Sequence, residues 1–187
     1  MVLSNETRQH SGRINGRDIP KRERPPGIIF FDNNGNECGG LVYNESREGY
    51  KVNMMMSFTM DNYRNGQVVQ MIDDETYNGN QAAVRRGLAI NEFPVGADMG
   101  VLIDKMNNIN KMKDTAERNK QLQVLFKSAG SKRRLFLGRT RENQSGVFLY
   151  DNAGRPRFEI YVDSSGSPQM MLLDSLGNTK NVMANMR

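Results

Sequence analysis

The chain has 187 residues and a mass of 21.2 kDa, with 37% hydrophobic and 7% aromatic residues, no Trp and a mean hydropathy of −0.68. That length supports one domain with a thin core, and apolar runs such as 28–31 are far too short to cross a bilayer as a helix. A single Cys precludes an intrachain disulfide, and a single His precludes a multi-histidine metal site.

The first residues, 1–5, read as the end of a strand, with no charged or apolar leader ahead of them, and we expect a segment to precede them. Residues 6–26 hold Gly12, Gly16, Pro20, Pro25 and Pro26 with only Ile14 and Ile19 as apolar anchors, which predicts an extended basic arm or loop. Strand patterns follow. Residues 28–31 are apolar on both sides, whereas Val52, Met54, Met56, Phe58 and Met60 alternate with Asn53, Met55, Ser57 and Thr59. Between 73 and 93 the pattern is ambiguous, with a turn at Asn78-Gly79 and a candidate strand over 84–90.

From 98 to 128 the period changes to that of a helix: Leu102, Met106, Ile109 and Met112 form one stripe. Asp114-Thr115-Ala116-Glu117 then restarts a helix, with Leu122, Leu125 and Phe126 as its apolar positions. Beyond it, 147–150 and 170–173 are apolar on both sides, and Phe158, Ile160 and Val162 alternate with Arg157, Glu159 and Tyr161.

A recurring turn organises these strands. Asp-x-x-Gly occurs at Asp32, Asp151, Asp163 and Asp174, and the last three copies lie 12 and 11 residues apart. The Asp side chain accepts backbone amides and the Gly supplies positive φ, which makes a hairpin loop. So short a spacing leaves no room for a crossover helix, so the strands run antiparallel in sequence order. The expected fold is one mainly β domain over 1–187: an antiparallel β-meander, sandwich- or barrel-like, with a helical insert at 98–128. Strands apolar on both sides need two covers, which the insert is too small to supply, and a homo-oligomer is therefore expected. The 13 methionines suit core filling or an adaptable contact surface.

Charge is polarised. Residues 8–24 carry a net +4 and 111–141 a net +8, against a total of +5, which leaves −7 on the rest. The basic segments predict an anion-binding surface, with Lys132, Arg133 and Arg134 joined by Arg22 and Arg24, for an anionic polymer or a membrane surface. Nucleic acid is not favoured, because no aromatic side chains are interleaved to stack bases.

No catalytic constellation emerges. His10 sits in a polar loop; Cys38, in Glu37-Cys38-Gly39-Gly40, lacks a neighbouring base, and Gly39-Gly40 reads as a bulge or a close backbone approach. The Asp32-x-Asn34-x-Asn36 run opens like a calcium loop but places Glu37 and Tyr43 where Gly and Glu are required. Asp73-Asp74-Glu75 reads as a solvated acidic turn, and no phosphate-binding or nucleophile-elbow motif is present. We therefore expect no cofactor, no metal site and no enzyme; one centred on Cys38 or on 73–75 is the weaker reading.

Two stretches, Gly27-Ile28-Ile29-Phe30-Phe31-Asp32 with Glu37-Cys38-Gly39-Gly40-Leu41, and Asp151-x-x-Gly154-Arg155-Pro156-Arg157 with Tyr161-Val162-Asp163-x-x-Gly166, resemble a bacterial family of short strands joined by Asp-x-x-Gly turns. Some members carry an N-terminal hydrophobic segment, so the resemblance implies a missing upstream segment and association with the cell envelope. It implies no activity and no site residue. The functional expectation is a non-enzymatic structural or protein-interaction module that self-associates.

Overall fold

The computed structural model describes residues 2–4, 12–18 and 25–183. Strand β1 (Val2–Ser4) precedes a short hairpin of β2 (Arg13–Ile14) and β3 (Arg17–Asp18). Then come β4 (Gly27–Phe31) and four long strands: β5 (Glu37–Glu48), β6 (Lys51–Asp61), β7 (Gln67–Asn78) and β8 (Gln81–Glu92). Helices α1 (Met99–Asn110) and α2 (Thr115–Ala129) form the insert. The chain returns through β9 (Lys132–Arg139), β10 (Ser145–Tyr150), β11 (Pro156–Val162), β12 (Pro168–Leu173) and β13 (Thr179–Asn181). Apart from the β2–β3 hairpin these strands make one 11-stranded antiparallel meander, in sequence order from β1 to β13. It is open, with β1 and β13 as its edges, and is not closed into a barrel.

The turns explain the order. In each Asp-x-x-Gly loop the Asp Oδ1 accepts the amides two and four residues on, as Asp151 does from Ala153 and Arg155 at 2.9 and 3.0 Å. Hydrogen bonds from these amides and from the side chains they bring close hold the Asp163 carboxyl down at about 2, with Ser165 the largest contributor. Two-residue loops, Gly49-Tyr50 and Gly79-Asn80, close the long hairpins, each with glycine at φ 57 in the first position.

The segment 73–93, ambiguous in sequence, is strand almost throughout, so Asp73, Asp74 and Glu75 lie in β7 and not in a turn. The extended arm is corrected in part. Residues 13–18 fold back as a hairpin on the chain itself, turning at Asn15 (φ 50) and Gly16 (φ 79), and the Arg13 amide donates to the Gly35 carbonyl at 2.9 Å. Residues 6–11 and 19–24 of the arm, with His10, Arg22 and Arg24, lie outside the described residues.

The insert divides as the sequence implies. Asp98 caps α1 and Asp114 caps α2, where its Oδ1 accepts from Ala116 and Glu117. Leu102 and Leu125 are buried, but Phe126, expected on the apolar side, is 44% exposed. Met99 N donates to Arg64 O at 2.9 Å, Asn65 Nδ2 to Ala97 O at 2.6 Å, and Arg17 pairs with Asp104 at 2.6 Å. These ties hold the insert to the β6–β7 turn and the small hairpin.

The sheet has one covered face, here the inner face. Ile29, Ser57, Ile72, Ala89, Phe136 and Phe148 point to it and are buried. The Phe148 ring packs against Phe136 and Tyr161 with centroids 6.0 and 5.7 Å away. Across the middle of this face Gly87, Gly138 and Gly146 pair directly on three adjacent strands. A Cβ at Gly87, Gly138 or Gly146 would fall well inside contact distance of the Leu137, Arg86 or Ile160 carbonyl respectively, and Gly138 has φ +150. Only glycine lets the strands pass so closely. Gly138→Ala is expected to cost about 3 kcal/mol, combining the left-handed penalty with overpacking. Urea denaturation measures it, and a loss below about 1 kcal/mol would remove this account of the glycine row.

Candidate functional site

Register defines the opposite, outer face. One row of directly paired side chains starts at Leu41 and passes through Phe58, Met71, Leu88 and Leu137. It continues through Val147 and Ile160 to Met170. The neighbouring row joins Met60, Val69, Ile90 and Leu135, then Leu149, Phe158 and Leu172. Neither row contains a polar residue, yet the face is uncovered. Met71 is 58% exposed, Met60 50%, Leu137 48%, and Ile160 and Leu172 45% each. The doubly apolar strands are thereby resolved: Phe148 is buried inside while Leu149 faces out, and Met171 falls on the inner side while Met170 and Leu172 face out.

Towards the turns Gly49-Tyr50 and Gly79-Asn80 this face becomes polar and internally paired. Arg86 reaches Asp73 at 2.8 Å and also bonds Glu75, whose other oxygen accepts from the Tyr77 hydroxyl. Glu75 is only 6% exposed, and the Tyr77 bond, followed by Arg86, lowers its pKa despite burial. Arg47 and Tyr43 bond Glu45 at 2.7 Å each. On the inner side Asp74 accepts from Arg85 at 3.1 Å and from Arg141 at 2.7 Å. The 73–75 acids are therefore strand residues in ion pairs.

Of the basic residues singled out in the sequence, the described ones, Lys132, Arg133 and Arg134, each have a partner within the chain, while Arg22 and Arg24 lie outside the described residues. Lys132 Nζ donates to the Phe126, Lys127 and Gly130 carbonyls at 3.3, 2.7 and 3.2 Å, closing the C-terminus of α2. Arg133 stands over the Phe136 ring, 5.7 Å from its centroid. Arg134 pairs with Glu92 at 3.3 Å and bonds Asn152.

A second feature, missed in the sequence, is a cleft of about 620 Å³ at the end of the sheet. Its walls are the β2–β3 hairpin, the 32–36 and 61–67 turns and the start of α1. Asp61 lies in this wall; its Oδ1 is buried with no hydrogen-bond partner, and burial, reinforced by the Glu37 charge, pushes its carboxyl up to about 6. Cys38, left unpaired by the register shift between Phe30 and Phe31, lines the same cleft. Burial raises its thiol pKa, as do Asp32, Asp61 and Glu37, the reverse of what a thiolate nucleophile requires. Among the described residues no three His, Cys, Asp or Glu side chains are placed to hold a metal ion.

Fold and outer face together define a class: an open antiparallel meander with one covered and one bare apolar face. No family model, curated protein or solved structure matches the chain.

Two outcomes are expected. Asp61 binds its proton more tightly folded, near 6, than at its ordinary value of 3.8, so this group's contribution to stability slopes downward as pH rises between those values. Asp61→Asn should abolish that slope and be more stable at pH 7.5, by on the order of 1–2 kcal/mol once solvent access to the cleft discounts the full shift. Thermal melts from pH 4 to 8 measure both. Lys132→Met should lower stability by roughly 1 kcal/mol through fraying of α2, read as lost helical circular dichroism before the main transition.

Proposed function

We propose that this chain is a non-enzymatic protein-interaction module that self-associates through the outer face of its sheet. The carrying observation is the pair of unbroken apolar rows, which cross the sheet from β5 or β6 to β12. Nine aliphatic and Met side chains on this face are 37–58% exposed and present on the order of 800 Å², about what one partner contributes to a stable interface. Monomers rarely leave so large a contiguous apolar patch in water.

A second copy is the occupant that fits. At the polar end of this face Glu45, Asp73 and Glu75 balance Arg47, Arg86 and Arg139, and only Lys180, opposite Leu172 at the β13 edge, adds to them, so the face offers no strong charge to select a basic or an acidic partner. A two-fold axis through the rows places the same patch on itself, with the paired charges as a polar rim. Met56, Met60, Met71 and Met170 adjust their rotamers to a like surface without strain. The anionic-polymer reading has less support, since Lys132, Arg133 and Arg134 are each engaged within the chain.

Light scattering tests the proposal. A mass that is a multiple of 21.2 kDa is expected, falling to 21.2 kDa for Met71→Glu/Leu137→Glu with the β circular dichroism retained. Tyr50→Glu, at an 89% exposed turn position, should leave the mass unchanged. A wild-type mass of 21.2 kDa across a wide concentration range would reject self-association.

A further inference from the structure

The cleft at the end of the sheet is separate from the outer face and has its own chemistry. Its volume of about 620 Å³ lies within the range of small-molecule sites. Charges of both signs line it, Arg13 and Arg64 against Asp32 and Glu37, and they are already engaged. Arg13 pairs with Asp18 at 2.9 Å, and the Arg64 guanidinium stands 5.4 Å from the Tyr63 ring centroid. Asp32 accepts the Asn34 and Asn36 amides at 2.8 Å each and the Asn36 side chain at 2.9 Å. Glu37 is not free, and the unpartnered Oδ1 of Asp61 is buried in the wall. An ion entering the cleft would meet both signs on one wall and would have to displace a partner before it gained anything. The lining therefore suits a neutral ligand.

What the cleft offers such a ligand is carboxamides and an open ring. Three of its carboxamides are spent on the fold: Asn15 Nδ2 donates to Arg64 O at 3.3 Å, Asn36 Oδ1 accepts from Gly16 N at 2.8 Å, and Asn65 Nδ2 donates to Ala97 O at 2.6 Å. The other three, on Asn34, Asn62 and Gln67, are exposed, bond no described residue and come from two separate turns. Each presents an acceptor and two donors. Between them Tyr63 is 81% exposed, so most of its ring is open and its hydroxyl bonds no described residue. Sugar hydroxyls are both donors and acceptors, as carboxamides are, and the C–H face of a pyranose ring is apolar and weakly positive, which the negative face of an aromatic ring attracts. Ile14, Met99 and Ile103 complete an uncharged wall.

We propose that this cleft binds a neutral saccharide, with Asn34, Asn62 and Gln67 bonding its hydroxyls and Tyr63 stacking on a sugar ring. The test is an amide chemical-shift titration of the whole chain with maltotriose, cellotriose and mannotriose, and with cytidine as a neutral stacking ligand of another class. Saturable shifts confined to residues 13–16, 32–38 and 61–67 are expected with at least one trisaccharide. Tyr63→Ala and Asn62→Ala should each weaken that binding about 10-fold or more, whereas Tyr50→Ala, at an equally exposed turn outside the cleft, should leave it unchanged. The Tyr63 and Asn62 side chains hold nothing else in the fold, so both variants should melt at the wild-type temperature, which separates ligand contact from a structural role. No saturable shift with any of the three at about 50 mM, unchanged affinity in both variants, or cytidine binding as tightly as the best trisaccharide would each overturn the proposal. Neither substitution touches the outer face, so light scattering of the same variants keeps this result distinct from that for self-association.

Discussion

In a meander every strand inherits its register from the hairpin before it, and side chains alternate with a period of two. One slipped residue would turn every later strand over and exchange its faces. The tight turns prevent this. Two-residue glycine loops and Asp-headed loops each permit one register, and the shifts at Phe30/Phe31, Met60/Asp61, Ile90/Asn91 and Leu149/Tyr150 all fall where strands meet their turns. Strand bodies are left in phase, so the apolar rows continue without a break from β6 to β12.

Fixed phase makes the two faces unequal. The inner face carries the Gly87, Gly138 and Gly146 row together with the buried Ile29, Ser57, Ile72, Ala89, Phe136 and Phe148, and the glycines let neighbouring backbones lie close. The outer face has long aliphatic and Met side chains that stand away from the sheet, and no described residue reaches across them. The helical insert is held at the rim by Arg64, Asn65 and Arg17, on the wrong side of the turns to cover them. Bare apolar area follows from where the insert is anchored, not from a shortage of helix.

The meander was legible because its signals are local. Asp-x-x-Gly determines its own loop within five residues, and Asp98 and Asp114 cap helices through amides two or three positions away. The β2–β3 hairpin also had a local signal, Asn15-Gly16, obscured by the lack of apolar residues around it. The turn at 140–144 has the same backbone bonds as the Asp loops, with Asn143 at φ 61 in place of glycine, and so escaped the pattern. The cleft was not legible at all. Asp61, Glu37 and Ile103 come together through strand pairing and helix anchoring, which no spacing in the chain records.

Net charge along the chain does not say which cations are already engaged within the fold. The segment 111–141 is strongly basic, yet Lys132 is occupied by helix carbonyls, Arg133 by a ring and Arg134 by Glu92. Arg139 donates to the Val84 carbonyl at 2.8 Å, and Arg141 binds Asp74 across the sheet. Such cations neutralise the fold's own carbonyls and carboxylates, and a phosphate would have to displace those partners before it gained anything. Among the described residues, exposed polar side chains aside, two kinds of group are left without a partner: the apolar rows of the outer face, and the buried Asp61 Oδ1 and Arg85 Nε. Water satisfies neither well, since the rows order it over a broad area and the buried atoms are closed to it. The rows are broad and exposed, so the physical reason to look for a protein partner lies there, whereas the buried polar atoms are a cost internal to the fold.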